Sequence, residues 1–164
     1  MSVWNRALAL LDRIDAPRTA HAHCDIPCGI YDPRTMQVAA QTVTTLTQKM
    51  QALTGDVADK AARQLYETTI ARMAVVRDEH AEIVKREARI LWADWFKPPH
   101  VEQFPNLHEH IWMTMKQASA ARQGMDLAAC QKLQEMVDQI ADWFWQSKNQ
   151  QDVQRRVQEG HPVT

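Results

Sequence analysis

The chain is short of glycine, of cysteine, of net charge and of long apolar runs. Only four of its 164 residues are glycine, while Ala, Gln, Leu, Met, Glu and Lys are abundant, a composition that leans towards helix. No segment sustains a two-residue alternation of apolar and polar side chains, so there is no case for a sheet. The formal charge of −1 removes the electrostatic argument for a nucleic-acid partner. No apolar run approaches the roughly 20 residues that a bilayer-spanning helix needs. Three cysteines are an odd count, and Cys24 and Cys28 are crowded at one end. That is no disulfide framework; it points to metal or redox chemistry in a reducing compartment, and so to the cytoplasm. The length supports one domain with a real core.

What is present is helical periodicity. Pro33 suits a first helical turn, and Met36, Ala39, Val43, Leu46, Met50 and Leu53 recur at steps of three and four on one face. Thr54-Gly55-Asp56 interrupts that pattern. A longer stripe follows through Tyr66, Thr69, Met73, Val76, His80, Ile83, Glu87 and Ile90, ending near Phe96. Val75, Val84 and Leu91 lie off this stripe and need cover of their own. Lys97-Pro98-Pro99-His100 forbids continuation of the helix and begins a loop to Pro105-Asn106. Leu107, Ile111, Met115 and Ala118 mark a third helix closed by Gly124; Cys130, Leu133, Val137, Ile140 and Phe144 mark a fourth. The expected fold is all-α, an antiparallel up-down four-helix bundle over 34–150, with a polar, fraying tail at 151–164.

Residues 1–22 read as a leader. Arg6, the run Ala7 to Leu11 and Ala20-His21-Ala22 imitate a secretory signal. The run is too short, however, for an h-region of about 7–15 residues, and Asp12, Arg13 and Asp15 follow at once. A non-secretory propeptide, removed by a leader-processing protease after Ala22, is the better reading.

Between leader and bundle lies the most informative stretch, residues 23–33: His23-Cys24-Asp25-Ile26-Pro27-Cys28-Gly29-Ile30-Tyr31-Asp32-Pro33. It stands outside the helical pattern and contributes little to a core. After cleavage, the His23 amine, the amide nitrogen of Cys24 and the Cys24 thiolate close two adjacent five-membered chelate rings. Cys28 can turn back to complete a plane, helped by Pro27 and Gly29, and the His23 imidazole is left to sit axially. A planar nitrogen and sulfur set suits divalent nickel or copper, whereas zinc prefers a tetrahedron and has no redox chemistry. Cys24 and Cys28 without their flanking pattern would more often be a zinc half-site or a small redox pair.

The pattern His23-Cys24-Asp25-x-Pro27-Cys28-Gly29-x-Tyr31-Asp32-Pro33 resembles the nickel hook of the nickel-containing superoxide dismutases. A second block, Leu91-Trp92-Ala93-Asp94-Trp95-Phe96-Lys97-Pro98-Pro99-His100, resembles that family's other recognisable segment, and Phe144-Trp145 is similar too. The resemblance covers most of residues 23–148. It implies a four-helix bundle assembled as a homohexamer, made with a removable leader, that disproportionates superoxide with a nickel ion cycling between divalent and trivalent states. It implies His23, Cys24 and Cys28 as metal ligands. Tyr31 would stand at the open face where superoxide approaches, Asp25 would brace the hook, and Lys97 would supply guiding positive potential. Other members carry a glutamate where Ala39 stands and an arginine at the position of His80, a pair that orients the hook histidine; a tyrosine of the second block is Trp95 here. His80, on the inward stripe, can substitute.

Two readings from other classes stand beside this one. One is a non-catalytic helical bundle holding zinc or copper at the hook; the other is an unprocessed scaffold that keeps its leader. Cys130, at core spacing, reads as a structural thiol. Trp92, Trp95, Trp112, Trp143 and Trp145 read as core or subunit-contact aromatics. His108 and His110, two apart on a helix, face different ways and form no second metal site.

Overall fold

A computed structural model describes residues 31–54 and 59–158, with side chains through residue 149. All regular structure among these residues is helical: α1 (Arg34–Ala52), α2 (Lys60–Ile90), a π-helical turn (Leu91–Trp95), α3 (Pro98–Gln103), α4 (Leu107–Gln123) and α5 (Leu127–Gln158). The four long helices close a ring in which α1 packs on α2 and α5, and α4 packs on α2 and α5. Cross-links show that neighbours run antiparallel. Gln37 bonds Asp138 and Thr44 bonds the carbonyl of Cys130. His110 bonds the carbonyl of Met136, while Gln117 bonds that of Ala129 further along. The expected up-down four-helix bundle is the observed one.

Three helices bury the stripes their spacing predicts. Met36, Ala39 and Val43 from α1, Leu107, Ile111 and Ala118 from α4, and Cys130, Leu133, Val137, Ile140 and Phe144 from α5 are all within 1 % of full burial. Helix α2 differs. Its buried line is Arg77, Ala81, Val84 and Ala88, continued by Leu91, one position round from the expected stripe. Val76 is 38 % exposed and the other members of that stripe are half-buried. Val84 and Leu91 are therefore core residues of the monomer, and only Val75, at 58 % exposure, still lacks cover. The misreading has a cause: two alanines and an arginine carry almost no apolar signal, yet small residues are what let α2 approach its neighbours closely.

Arg77 is the unusual member of that line. Its guanidinium donates to the carbonyls of Arg122 (2.8 Å) and Gly124 (2.9 Å) and to Thr47 Oγ1 (3.3 Å). It thus satisfies the orphan carbonyls at the C-terminus of α4, where a cation also complements the helix dipole.

The segment expected as a loop after Lys97 contains α3 instead. Pro98 and Pro99 fill its first two positions, where a missing N–H costs nothing because it would have no intrahelical partner. The prolines that stop α2 thereby start a new helix. At the other end, α5 runs on to Gln158, eight residues past the point where the polar tail was expected to begin.

Candidate metal centre

The chain enters the described bundle at Tyr31. Asp32 Oδ1 accepts from the backbone N–H of Arg34 at 2.8 Å, and its carboxylate also meets the Arg34 guanidinium at 3.0 Å. The backbone bond is the main reason that the Asp32 carboxyl is held below its ordinary pKa. Pro33, fully buried, passes its carbonyl to Gln37 N and begins α1. Both members of the ion pair are solvent-exposed, so its value lies in fixing a turn rather than in stability.

Tyr31 is half-buried, with its ring centroid 5.6 Å from that of Trp95 and the planes tilted by 56°. Trp95 in turn lies 4.7 Å from Phe144 between centroids and donates from Nε1 to Ser147 Oγ at 2.9 Å. The π turn produces this placement. Phe96 N bonds Leu91 O across five residues, and the wider turn leaves both Leu91 and Trp95 buried. Tyr31 is therefore anchored to the second recognisable sequence block and, through it, to α5.

Lys97 follows two residues later, at the N-cap of α3. Its backbone N–H donates to His100 Nδ1 at 3.1 Å and its carbonyl accepts from His100 N at 2.8 Å. The side chain itself is exposed. The buried His100 ring is pushed below the usual histidine pKa, first by burial and then by the Lys97 cation.

Ala39 and His80 line one groove between α1 and α2 together with Arg34, Thr35, Val38 and Ile83. His80 Nδ1 stands 2.7 Å from the carbonyl of Val76, and its ring is half-buried rather than in the core.

His23, Cys24, Asp25 and Cys28 lie outside the described residues. Within those described, no group of three or more His, Cys, Asp or Glu is placed to hold a metal. His108 and His110 do diverge: His108 accepts from Trp92 Nε1 at 2.7 Å, and His110 bonds Met136 O at 2.9 Å. Cys130 is fully buried against Thr47 Oγ1 at 3.3 Å, as a structural thiol should be. Sequence reasoning missed Ser147, which fixes Trp95, and Arg34, which lines the groove. A polar residue three positions after Phe144 on the core face was the available signal for Ser147.

The fold defines an all-helical bundle whose first helix is entered from Tyr31, Asp32 and Pro33. Residues 18–148 match the family model described as nickel-containing superoxide dismutase. Over 140 residues the chain is 38 % identical to the superoxide dismutase [Ni] of Streptomyces coelicolor and 36 % identical to that of Streptomyces seoulensis, covering 85 % of this chain and 98 % of each relative. Among solved structures, the native nickel superoxide dismutase is 36 % identical with a TM-score of 0.64, and an apo form 33 % identical with a TM-score of 0.63. They cover 77 % and 74 % of this chain, and 99 % of each solved chain. The chain belongs to the nickel-containing superoxide dismutase family. Its cofactor is accordingly nickel and its activity that of a superoxide dismutase; the zinc- or copper-holding bundle without turnover is not favoured. No helix of the described residues is long and apolar enough to cross a membrane.

Proposed function

We propose that the chain, cleaved after Ala22, holds nickel through His23, Cys24 and Cys28 and converts two superoxide ions and two protons into oxygen and hydrogen peroxide. The donor chemistry fits the metal. One amine, one amidate and two thiolates would offer a soft, anionic donor set, and such donors stabilise a higher oxidation state. Bound nickel supplies one-electron exchange between its divalent and trivalent states. The chain's own residues supply the rest.

Cleavage frees the His23 amine as a donor; with the leader attached, that nitrogen is an amide. Tyr31, its ring against Trp95, would offer its hydroxyl to water or the small anion. Asp25 braces the hook, and the exposed Lys97 ammonium draws an anion inward. Superoxide needs only electrons and protons, so no shaped substrate pocket is required.

The observation that carries this reading is the run of donors at residues 23–28, followed directly by a tyrosine that the bundle holds in place. We also infer a cytoplasmic homohexamer and a dedicated leader-processing protease. The test is N-terminal sequencing, nickel content and dismutase assay on protein beginning at His23. Nickel bound near one per chain with turnover supports the reading, and a nickel-free or inactive processed protein refutes it.

A further inference from the structure

We propose that Met125 is a modification site: hydrogen peroxide oxidises its thioether to the sulfoxide, and the new oxygen is held by the buried guanidinium of Arg77. The function proposed above enters only as a source of the oxidant.

Met125 lies in the connection between α4 and α5, and the backbone around it is pinned. Its carbonyl accepts from Gln51 Nε2 at 2.6 Å. Gly124, just before it, gives its carbonyl to Arg77 Nη1 at 2.9 Å. Asp126, just after it, caps α5 by accepting from Ala128 N and Ala129 N. The side chain is nonetheless 41 % exposed, so a small neutral oxidant reaches the sulfur from solvent. That sulfur stands 3.5 Å from Arg77 Nη1.

Arg77 makes this methionine unlike the others. Its side chain is buried, and its guanidinium has more donors than acceptors. The two hydrogens of Nη1 face Gly124 O at 2.9 Å and Thr47 Oγ1 at 3.3 Å before they reach the sulfur, and a thioether is a weak acceptor. Nε is buried with no hydrogen-bond partner among the described residues, a condition that folded proteins seldom tolerate. A sulfoxide oxygen is a stronger acceptor than the thioether, and its bond to a guanidinium is charge-assisted. Three rotatable bonds let the methionine side chain bring that oxygen against the cation.

The step balances with no further reactant. A sulfur lone pair attacks one peroxide oxygen and the O–O bond breaks. The departing oxygen takes the remaining hydroxyl proton and leaves as water. The sulfur loses two electrons and the peroxide gains them, so thioether and hydrogen peroxide become sulfoxide and water. Charge developing on the peroxide oxygens lies beside the Arg77 cation, which favours the reaction there. Met125 is also remote from Tyr31. Gln51, which holds it, is at the far end of α1, a helix about 28 Å long, so the modification leaves the Tyr31 end of the bundle undisturbed.

Met113 is the natural control. It is 43 % exposed, and its sulfur meets no hydrogen-bond donor among the described residues. Processed protein, as wild type, Met125→Leu and Met113→Leu, is treated with reagent hydrogen peroxide. Peptide mass mapping follows the oxygen added at each methionine, and urea denaturation compares oxidised with untreated samples. Met125 should gain oxygen about tenfold faster than Met113, the gain that one charge-assisted hydrogen bond in the transition state supplies. Met125→Leu should lose that fast phase. Met113→Leu, oxidised at Met125, should keep or raise its urea midpoint, because the sulfoxide is held; an unheld polar group would lower it. Equal rates at Met113 and Met125, or a midpoint that falls on oxidation of Met113→Leu, would each overturn the assignment. Because the peroxide is added as a reagent, loss of the proposed dismutase function would not carry this site down with it.

Discussion

Trp95 Nε1 donates to Ser147 Oγ across 2.9 Å, and Ser147 passes its own proton to the carbonyl of Phe144 at 2.8 Å. Both residues are buried. The Trp95 indole therefore directs its polar edge into the bundle, while its ring lies against that of Tyr31, with centroids 5.6 Å apart and planes tilted by 56°. The ring held in this way is a fixed platform for Tyr31.

Ser147→Ala should expose the worth of that bond. The indole N–H would be left buried without an acceptor, a loss of about 1–3 kcal/mol. For a domain of this size that corresponds to a fall of roughly 2–4 °C in Tm per kcal/mol. Urea denaturation of the variant checks the figure. A midpoint equal to that of the parent protein would mean that Trp95 finds another partner.

Cysteine substitutions separate ligand from core. Cys24→Ser or Cys28→Ser replaces a soft anionic donor by a hydroxyl that stays protonated, and nickel redox activity should vanish. Cys130→Ala removes a sulfur packed against Thr47 and the carbonyl of Ala121. It should cost about 1–2 kcal/mol, with metal content intact. Nickel lost from a folded Cys130→Ala protein would reassign that thiol.

The leader is the control for the whole metal site. Full-length chain should bind nickel weakly and show negligible dismutase activity, and chain beginning at His23 should gain both. Mass spectrometry confirms which form is present. Comparable turnover by verified uncleaved protein would defeat the proposal that a chain end makes the site.

The bundle was legible because α1, α4 and α5 state their core faces in large apolar residues, Met36, Ile111 and Phe144 among them. Helix α2 was misread by one position because Arg77, Ala81 and Ala88 pack through smallness and hydrogen bonding, which leave no hydropathy trace. Helix α3 was missed since a proline pair reads first as a stop. The ligand set proposed at His23, Cys24 and Cys28 rests on donor chemistry and resemblance alone, because those residues lie outside the described ones. The meeting of Ala39 with His80 was not legible. Only the packing of α1 on α2 brings them to one groove.

Protonation of His100 gives a pH signature. Burial and the Lys97 cation lower its pKa from the ordinary 6.5, so the folded chain resists a proton that the unfolded chain accepts. The contribution to stability is complete above about 6.5. It is lost as pH falls from there towards the depressed folded value, and is constant below that. His100→Asn, whose side-chain oxygen can still accept from Lys97 N, should shrink the loss of stability between about pH 7 and 5. Urea midpoints at both values decide the matter, and an identical pH slope in variant and parent would discard His100 as the source.

Assembly is tested best at Trp112. It is 53 % exposed and Trp92 is 38 % exposed; Trp92 bonds His108, which lies four residues before Trp112 on the same face of α4. Met113, 43 % exposed, adjoins them, and Lys116 sits 5.5 Å from the Trp112 ring centroid. Aromatic and methionine side chains gathered on a surface in this way are typical of the cores of subunit interfaces. The processed protein should run as a hexamer of roughly 100 kDa, at about 110 Da per residue. Trp112→Glu places a charge in that patch and should release smaller species while leaving the helix content measured by circular dichroism unchanged, since Trp112 is 53 % exposed. Light scattering that returns the same mass for Trp112→Glu as for the parent would place the interface elsewhere on the bundle.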